Sequence, residues 1–164
     1  MSLAQHPAIL ETRSLSWPDE SACASFARRL ALAPALWPST FIALDGPLGA
    51  GKTTLVRHLL RALGVQGRIK SPTFAVMEPY EVDGRAISHF DFYRFEDPRE
   101  WDDAGFRDIF AAPGLKLAEW PDRAAPALPP PDLRLQIEPD AARSDARHVT
   151  VHAMTPHGVE LLKS

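Results

Sequence analysis

Gly46-Pro47-Leu48-Gly49-Ala50-Gly51-Lys52-Thr53, followed by Thr54, fits the pattern G-x-x-x-x-G-K-[ST] of a phosphate-cradling loop. Glycines at these positions let the backbone curl. Successive N–H groups then face inward and make a concave anion site. In this pattern the lysine, here Lys52, reaches the terminal phosphates as a point charge, and the hydroxyl after it, here Thr53, is a ligand for Mg²⁺.

The flanks decide whether the match is meaningful. Upstream, Thr40-Phe41-Ile42-Ala43-Leu44-Asp45 is a short apolar run of strand-forming residues, as a strand buried in a parallel sheet requires. Downstream, Leu55, Val56, Leu59, Leu60 and Leu63 recur at helical spacing, and Gly64 supplies a stop just past the helix. Strand, glycine loop and helix stand in the order an α/β nucleotide fold needs. The helix N-terminus adds its own partial positive charge at the phosphates. A glycine-rich strand-to-helix turn with a surface lysine is the plainer alternative, and the two flanks weigh against it.

At 164 residues the chain fits one domain, 1–164, near the small end for such a fold. The net charge is −3, so no global basic field points to autonomous DNA or RNA binding. Cys23 is the single cysteine, which fits a reducing cytosol and reads as a small buried apolar residue. The first 15 residues lack an uninterrupted apolar stretch of signal-peptide type, and no run approaches a membrane span. The expectation is a soluble cytoplasmic protein.

A first strand is expected over Ala8–Arg13, then a helix capped by Ser16 that runs to about Leu32 with Ala22, Phe26, Ala27 and Leu30 inward. Ser71-Pro72-Thr73-Phe74 is stiff and rich in hydroxyls, an ordinary loop or a nucleotide-sensing switch. Phe74–Glu81 and Ala86–Phe92 read as strands joined at Asp83-Gly84, a hairpin signal. A short acidic helix opens at Asp97, with a second through Phe106, Ile109 and Phe110. Leu115–Trp120 reads as a strand. Leu133–Glu138 and His148–Met154 follow, and Val159–Leu162 is expected to complete a last strand. The predicted architecture is α/β: a P-loop NTPase-type three-layer sandwich whose mixed central sheet holds an antiparallel hairpin and C-terminal antiparallel strands.

A phosphate loop needs a second acid at the end of a neighbouring strand, because ligands of parallel sheets lie beyond the carboxyl ends. Asp91 and Glu119 both qualify. One acid would bind Mg²⁺ and the other would orient the attacking water, and the residues alone do not assign them. His89 reads as a strand histidine packing its ring. Arg94 either approaches the phosphates or pairs with Asp97, and Trp120 packs near the nucleotide or in the core. The chain contains no asparagine, so an N-K-x-D guanine-reading motif is absent and ATP is the default nucleotide. A small-molecule kinase of P-loop type ranks second, since Arg94, Arg99, Arg107 and Arg123 are scattered rather than gathered into a lid.

Four stretches taken together resemble one family. Gly46–Thr54, Lys70-Ser71-Pro72-Thr73-Phe74, His89-Phe90-Asp91-Phe92-Tyr93-Arg94 and Glu119-Trp120-Pro121 are similar, in order and spacing, to motifs of the bacterial TsaE (YjeE) family. The resemblance spans about residues 16–155. It implies a weak, Mg²⁺-dependent ATPase that acts with the TsaB–TsaD complex in making threonylcarbamoyladenosine in tRNAs reading codons that begin with A. The tRNA would be met only through that complex, with no membrane involved. The resemblance carries phosphate contacts to Leu48, Gly49, Ala50, Gly51, Lys52, Thr53 and Thr54, with Trp120 close to the nucleotide. It makes Thr53 and Glu119 the Mg²⁺ ligands, Asp91 and Lys52 the catalytic groups, and Ser71-Pro72-Thr73 a switch-like element. Departures are Pro47 where the family often has an acid, Phe74 and Phe92 for a common Tyr and Leu, and Cys23 near the place of a common helix threonine. The adenine-side contacts stay unassigned.

Overall fold

A computed structural model describes residues 8–69, 71–72, 76–97, 99, 101, 105–125 and 127–163. Its strands are β1 (Glu11–Trp17), β2 (Ser39–Asp45), β3 (Met77–Val82), β4 (Arg85–Asp91), β5 (Gly114–Glu119), β6 (Leu133–Pro139) and β7 (Arg147–Ala153). The helices are α1 (Glu20–Leu32), α2 (Lys52–Leu63), α3 (Phe106–Ala111) and α4 (Pro156–Leu162). All seven strands form one sheet in the order β1-β7-β6-β2-β5-β4-β3. The centre is parallel: β2 pairs with β5 and β6, and β4 with β5. The flanks are antiparallel, through β3–β4 on one side and β6–β7–β1 on the other. The mixed α/β architecture, its hairpin and its C-terminal antiparallel strands are as the sequence predicts.

Side-chain alternation sorts the core into two clusters. On one face Ile42, Leu44, Ile87, Leu115, Leu117, Leu133 and Leu135 pack against α1 and α2. The opposite face gathers Phe41, Phe90, Phe92, Phe95, Trp101 and Phe106. The α2 helix turns Leu55, Val56, Leu59 and Leu60 inward, the stripe read from the sequence, and Gly64 ends it in the left-handed region with φ 104°. The β3–β4 hairpin turns at Asp83 and Gly84, both at positive φ (53° and 75°), as a two-residue turn of this twist requires. Pro79 is tolerated because β3 is an edge strand.

Three expectations need correction. The first strand is Glu11–Trp17, not Ala8–Arg13, because residues as far as Trp17 pair with β7. Ser16 therefore lies in a strand, and Asp19 caps α1 by accepting from the Ala22 N–H at 3.1 Å. Within α1, Cys23 is buried with Phe26, Ala27 and Leu30, while Ala22 is half-buried. Burial foremost, and the charge of Glu20 after it, push the Cys23 thiol up to about 12. Val159–Leu162 belongs to helix α4, not to a strand. Thr155 caps that helix, Pro156 opens it, and its Gly158 packs so close to Asp132 that a Cβ would strike the Asp132 carbonyl oxygen. Lys70, Thr73 and Phe74 of the switch-like segment lie outside the described residues. So do Pro98, Glu100, Asp102 and Asp103 of the acidic helix.

Candidate nucleotide site at the ends of the central strands

β2 delivers the chain to Gly46 at the carboxyl edge of the sheet. There φ is 152°, and a Cβ would run into the Ile137 carbonyl oxygen of neighbouring β6, so only glycine fits. Gly49 (φ 78°) and Gly51 (φ 108°) continue the curl, and α2 begins at Lys52. An open recess in front of this loop is lined by Leu48, Gly49, Ala50, Gly51, Lys52, Thr53, Thr54, Asp91, Tyr93, Glu119, Trp120 and Arg147. Leu48 to Thr54, Asp91, Glu119 and Trp120 therefore lie at one place, while His89 and Arg94 do not line it. Tyr93 and Arg147 are additions.

The acids arrive together because β4 and β5 run parallel in register, which sets Asp91 opposite Glu119. Glu119 is almost wholly buried, at 2% exposure. The Thr53 hydroxyl lies 3.0 and 3.1 Å from its two carboxylate oxygens and donates to them. The Ser71 hydroxyl in turn donates to Thr53 Oγ1 at 3.3 Å. His89 Nε2 lies 2.6 Å from Glu119 Oε2, and both side chains are buried. Asp91 instead faces the recess and accepts the Tyr93 N–H at 3.0 Å. Burial raises the Asp91 carboxyl above the ordinary range; the Tyr93 N–H opposes this, and the nearby Glu119 charge adds to it.

Lys52 is buried at the foot of the loop, where its Nζ donates to the Gly46 carbonyl. The same ammonium sits 3.6 Å from the centre of the Trp120 ring, a close cation–π contact. Burial lowers the Lys52 pKa, while Glu119, Asp91 and Asp45 pull it back up. Trp120 holds the left-handed conformation (φ 55°), unusual for so large a residue. Its ring meets Tyr93 at 5.0 Å, and the Arg123 guanidinium lies over both rings. One side of the recess is thus an aromatic and cationic wall.

Arg147 braces the loop from the opposite side. Its Nε donates to the Ala50 carbonyl at 2.7 Å, and its Nη1 to the Ser144 and Ala146 carbonyls. The Ala50 bond ties the loop to β7, while the Ala50 N–H donates back to the Pro47 carbonyl at 3.1 Å. A second recess lies beyond Ala50 and Gly51, lined by residues that include Trp17, Asp19, Glu20, Cys23, Thr54 and Asp145. Arg147 borders both.

Among the described residues no three His, Cys, Asp or Glu side chains gather to hold a metal. Thr53 and Glu119 nevertheless offer neighbouring hard oxygen donors. That set fits Mg²⁺, which is held by one or two carboxylates together with phosphates and water rather than by an all-protein cage.

This arrangement has relatives. The family model described as threonylcarbamoyl adenosine biosynthesis protein TsaE matches residues 17–149. The chain belongs to the TsaE family. It is 36% identical over 150 residues to the tRNA threonylcarbamoyladenosine biosynthesis protein TsaE of Haemophilus influenzae, across 90% of this chain and 93% of that one. The Bacillus subtilis protein of the same name is 36% identical over 117 residues, covering 71% of this chain and 72% of its own. The crystal structure of Bacillus subtilis YdiB superposes with a TM-score of 0.72 at 27% identity, over 93% of both chains. TsaE membership agrees with the resemblance read from the four motifs. Among the described residues no helix is long and apolar enough to cross a membrane.

Proposed function

We propose that the chain acts as one P-loop ATPase domain that binds and hydrolyses ATP with Mg²⁺. In this reading it serves threonylcarbamoyladenosine formation in tRNAs reading codons that begin with A, in the cytoplasm and with the TsaB–TsaD complex. The pathway rests on family membership and on the names its relatives carry. The chemistry rests chiefly on one observation: the Thr53 hydroxyl and the buried Glu119 carboxylate meet at 3.0 Å, at the head of α2 and beside the glycine loop.

Each side chain then has a task. The amides of Leu48 to Thr54 and the N-terminus of α2 receive the phosphates. Lys52 leaves the Gly46 carbonyl for the terminal phosphate oxygens, and Trp120 keeps water off that charge. Thr53 and Glu119 hold Mg²⁺, which when bound neutralises charge on the phosphate oxygens. Asp91 faces the recess and orients the attacking water. Its raised pKa brings it nearer the range of a working base. The recess beyond Ala50 and Gly51 is free to take the rest of the nucleotide.

The test is phosphate release from ATP, by purified protein alone and with TsaB–TsaD. Slow release that the complex accelerates is expected. Asp91→Asn should lower kcat about 100-fold with ATP binding retained, the scale of a lost acid–base group. Hydrolysis indifferent to the complex would remove the partner assignment, and an unaltered kcat in Asp91→Asn would remove the role of Asp91.

A further inference from the structure

His89 is a buried polar side chain to which the chemistry above gives no task. It occupies β4 two residues before Asp91, so both point to the α2 face of the sheet, and it is 1% exposed. On that face Ile87 precedes it on β4, Leu117 lies opposite on β5, and the half-buried Glu78 lies opposite on β3. Its one polar contact among the described residues is Nε2 to Glu119 Oε2, at 2.6 Å. Its Nδ1 has no hydrogen-bond partner among them.

These contacts fix the roles of the ring atoms. A carboxylate only accepts, so Nε2 carries the proton and donates. The bare Nδ1 is then an acceptor, which burial without a partner penalises less than an orphaned N–H. Glu119 accepts from two side chains, Thr53 and His89. His89 is not among the residues lining the recess, whereas Thr53 is. Were the Thr53 hydroxyl oxygen to turn to a cation, His89 would be the donor left to orient Glu119.

We propose that His89 is a positioning residue that acts through Glu119, holding the carboxylate in the orientation that receives Mg²⁺ beside bound nucleotide. The inference rests on the Mg²⁺–nucleotide reading of the site. A donor behind a ligating carboxylate fixes its rotation before the cation arrives, and groups of this kind change metal affinity while touching neither metal nor substrate. The motif His89-Phe90-Asp91 then has two working positions on one face. Asp91 acts at the recess and His89 sits one layer beneath it.

The test is calorimetric titration of Mg²⁺ into the full chain saturated with AMP-PNP, alongside AMP-PNP titration in EDTA. His89→Leu is expected to weaken Mg²⁺ about 10-fold, the lower end for loss of an orienting group. Metal-free AMP-PNP affinity should stay within about twofold, since no phosphate contact is lost. In a Glu119→Gln background His89→Leu should cost little more, as non-additivity of coupled residues requires. Equal Mg²⁺ affinity in wild type and His89→Leu would overturn the proposal, and so would a full additive loss in the Glu119→Gln background. Wild type that binds AMP-PNP but no Mg²⁺ would remove the metal reading itself. If His89→Leu does not fold, heteronuclear NMR of the wild-type imidazole decides. Protonated Nε2 with bare Nδ1, perturbed when Mg²⁺ joins the AMP-PNP complex, is expected. A proton on Nδ1 with Nε2 bare, or an imidazole signal that Mg²⁺ leaves unmoved, would sink it.

Discussion

β4 and β5 present two faces made from the same residues in alternation, and the faces do different work. Toward α3 they place Phe90 and Ala118, with Phe92 just past the end of β4, in an aromatic cluster, where Phe90 meets Phe106 at 5.2 Å and Phe110 at 4.8 Å. Toward α2 they place Ile87, Leu115 and Leu117 first, and then His89, Asp91 and Glu119 as the strands end. The first face is aromatic packing toward the strand ends, with the buried Lys116 behind it donating to the Ser39 hydroxyl and the Ala112 carbonyl. The second changes from packing to chemistry within two residues, where the N-terminus of α2 arrives. Polar groups there bond one another in a chain, His89 to Glu119, Glu119 to Thr53 and Thr53 to Ser71, with His89 Nδ1 left without a partner among the described residues. A strand with period two can therefore carry a site and its supporting wall in adjacent residues.

Two substitutions should separate these functions. Phe90→Ala removes a fully buried ring from the aromatic face. It should cost about 3–5 kcal/mol in urea unfolding, while the folded fraction binds nucleotide with little change. A large loss of affinity at full folding would mean that the faces are not separable. Arg147→Met should act the other way. Loss of the bond to the Ala50 carbonyl should weaken ATP about 3- to 10-fold by calorimetry, the value of one such hydrogen bond. Stability should fall by no more than about 1 kcal/mol, as expected for a partly exposed side chain. Unaltered ATP affinity would show that the loop holds its shape without this brace.

What could be read in advance follows from how local each signal is. The glycine loop, α2 with its Gly64 stop, and the Asp83-Gly84 turn are written in runs of a dozen residues or fewer, and the structure bears them out. Asp91 and Glu119 were legible as strand-end acids, since the parallel register brings strand ends together. β1 was misplaced because its extent is set by pairing with β7, far along the chain. Val159–Leu162 is apolar enough for either a strand or a helix. Thr155 and Pro156, a cap followed by proline, were the signal that decides for helix. Arg147 reaches Ala50 across 97 residues and carries no local mark. His89 had one, a polar residue in alternation with Ile87 and the strand-end Asp91, and the ring-packing reading passed over it.

The central claim is that the recess in front of Gly46–Thr54 holds ATP with Mg²⁺ through Lys52. Calorimetric titration of Mg²⁺–ATP into wild type and Lys52→Ala tests it most directly. Wild type should bind one nucleotide per chain, and Lys52→Ala should bind about 10- to 100-fold more weakly, the value of a hydrogen bond to a charged group. Equal affinity in the two proteins, or no binding by wild type, would contradict the account.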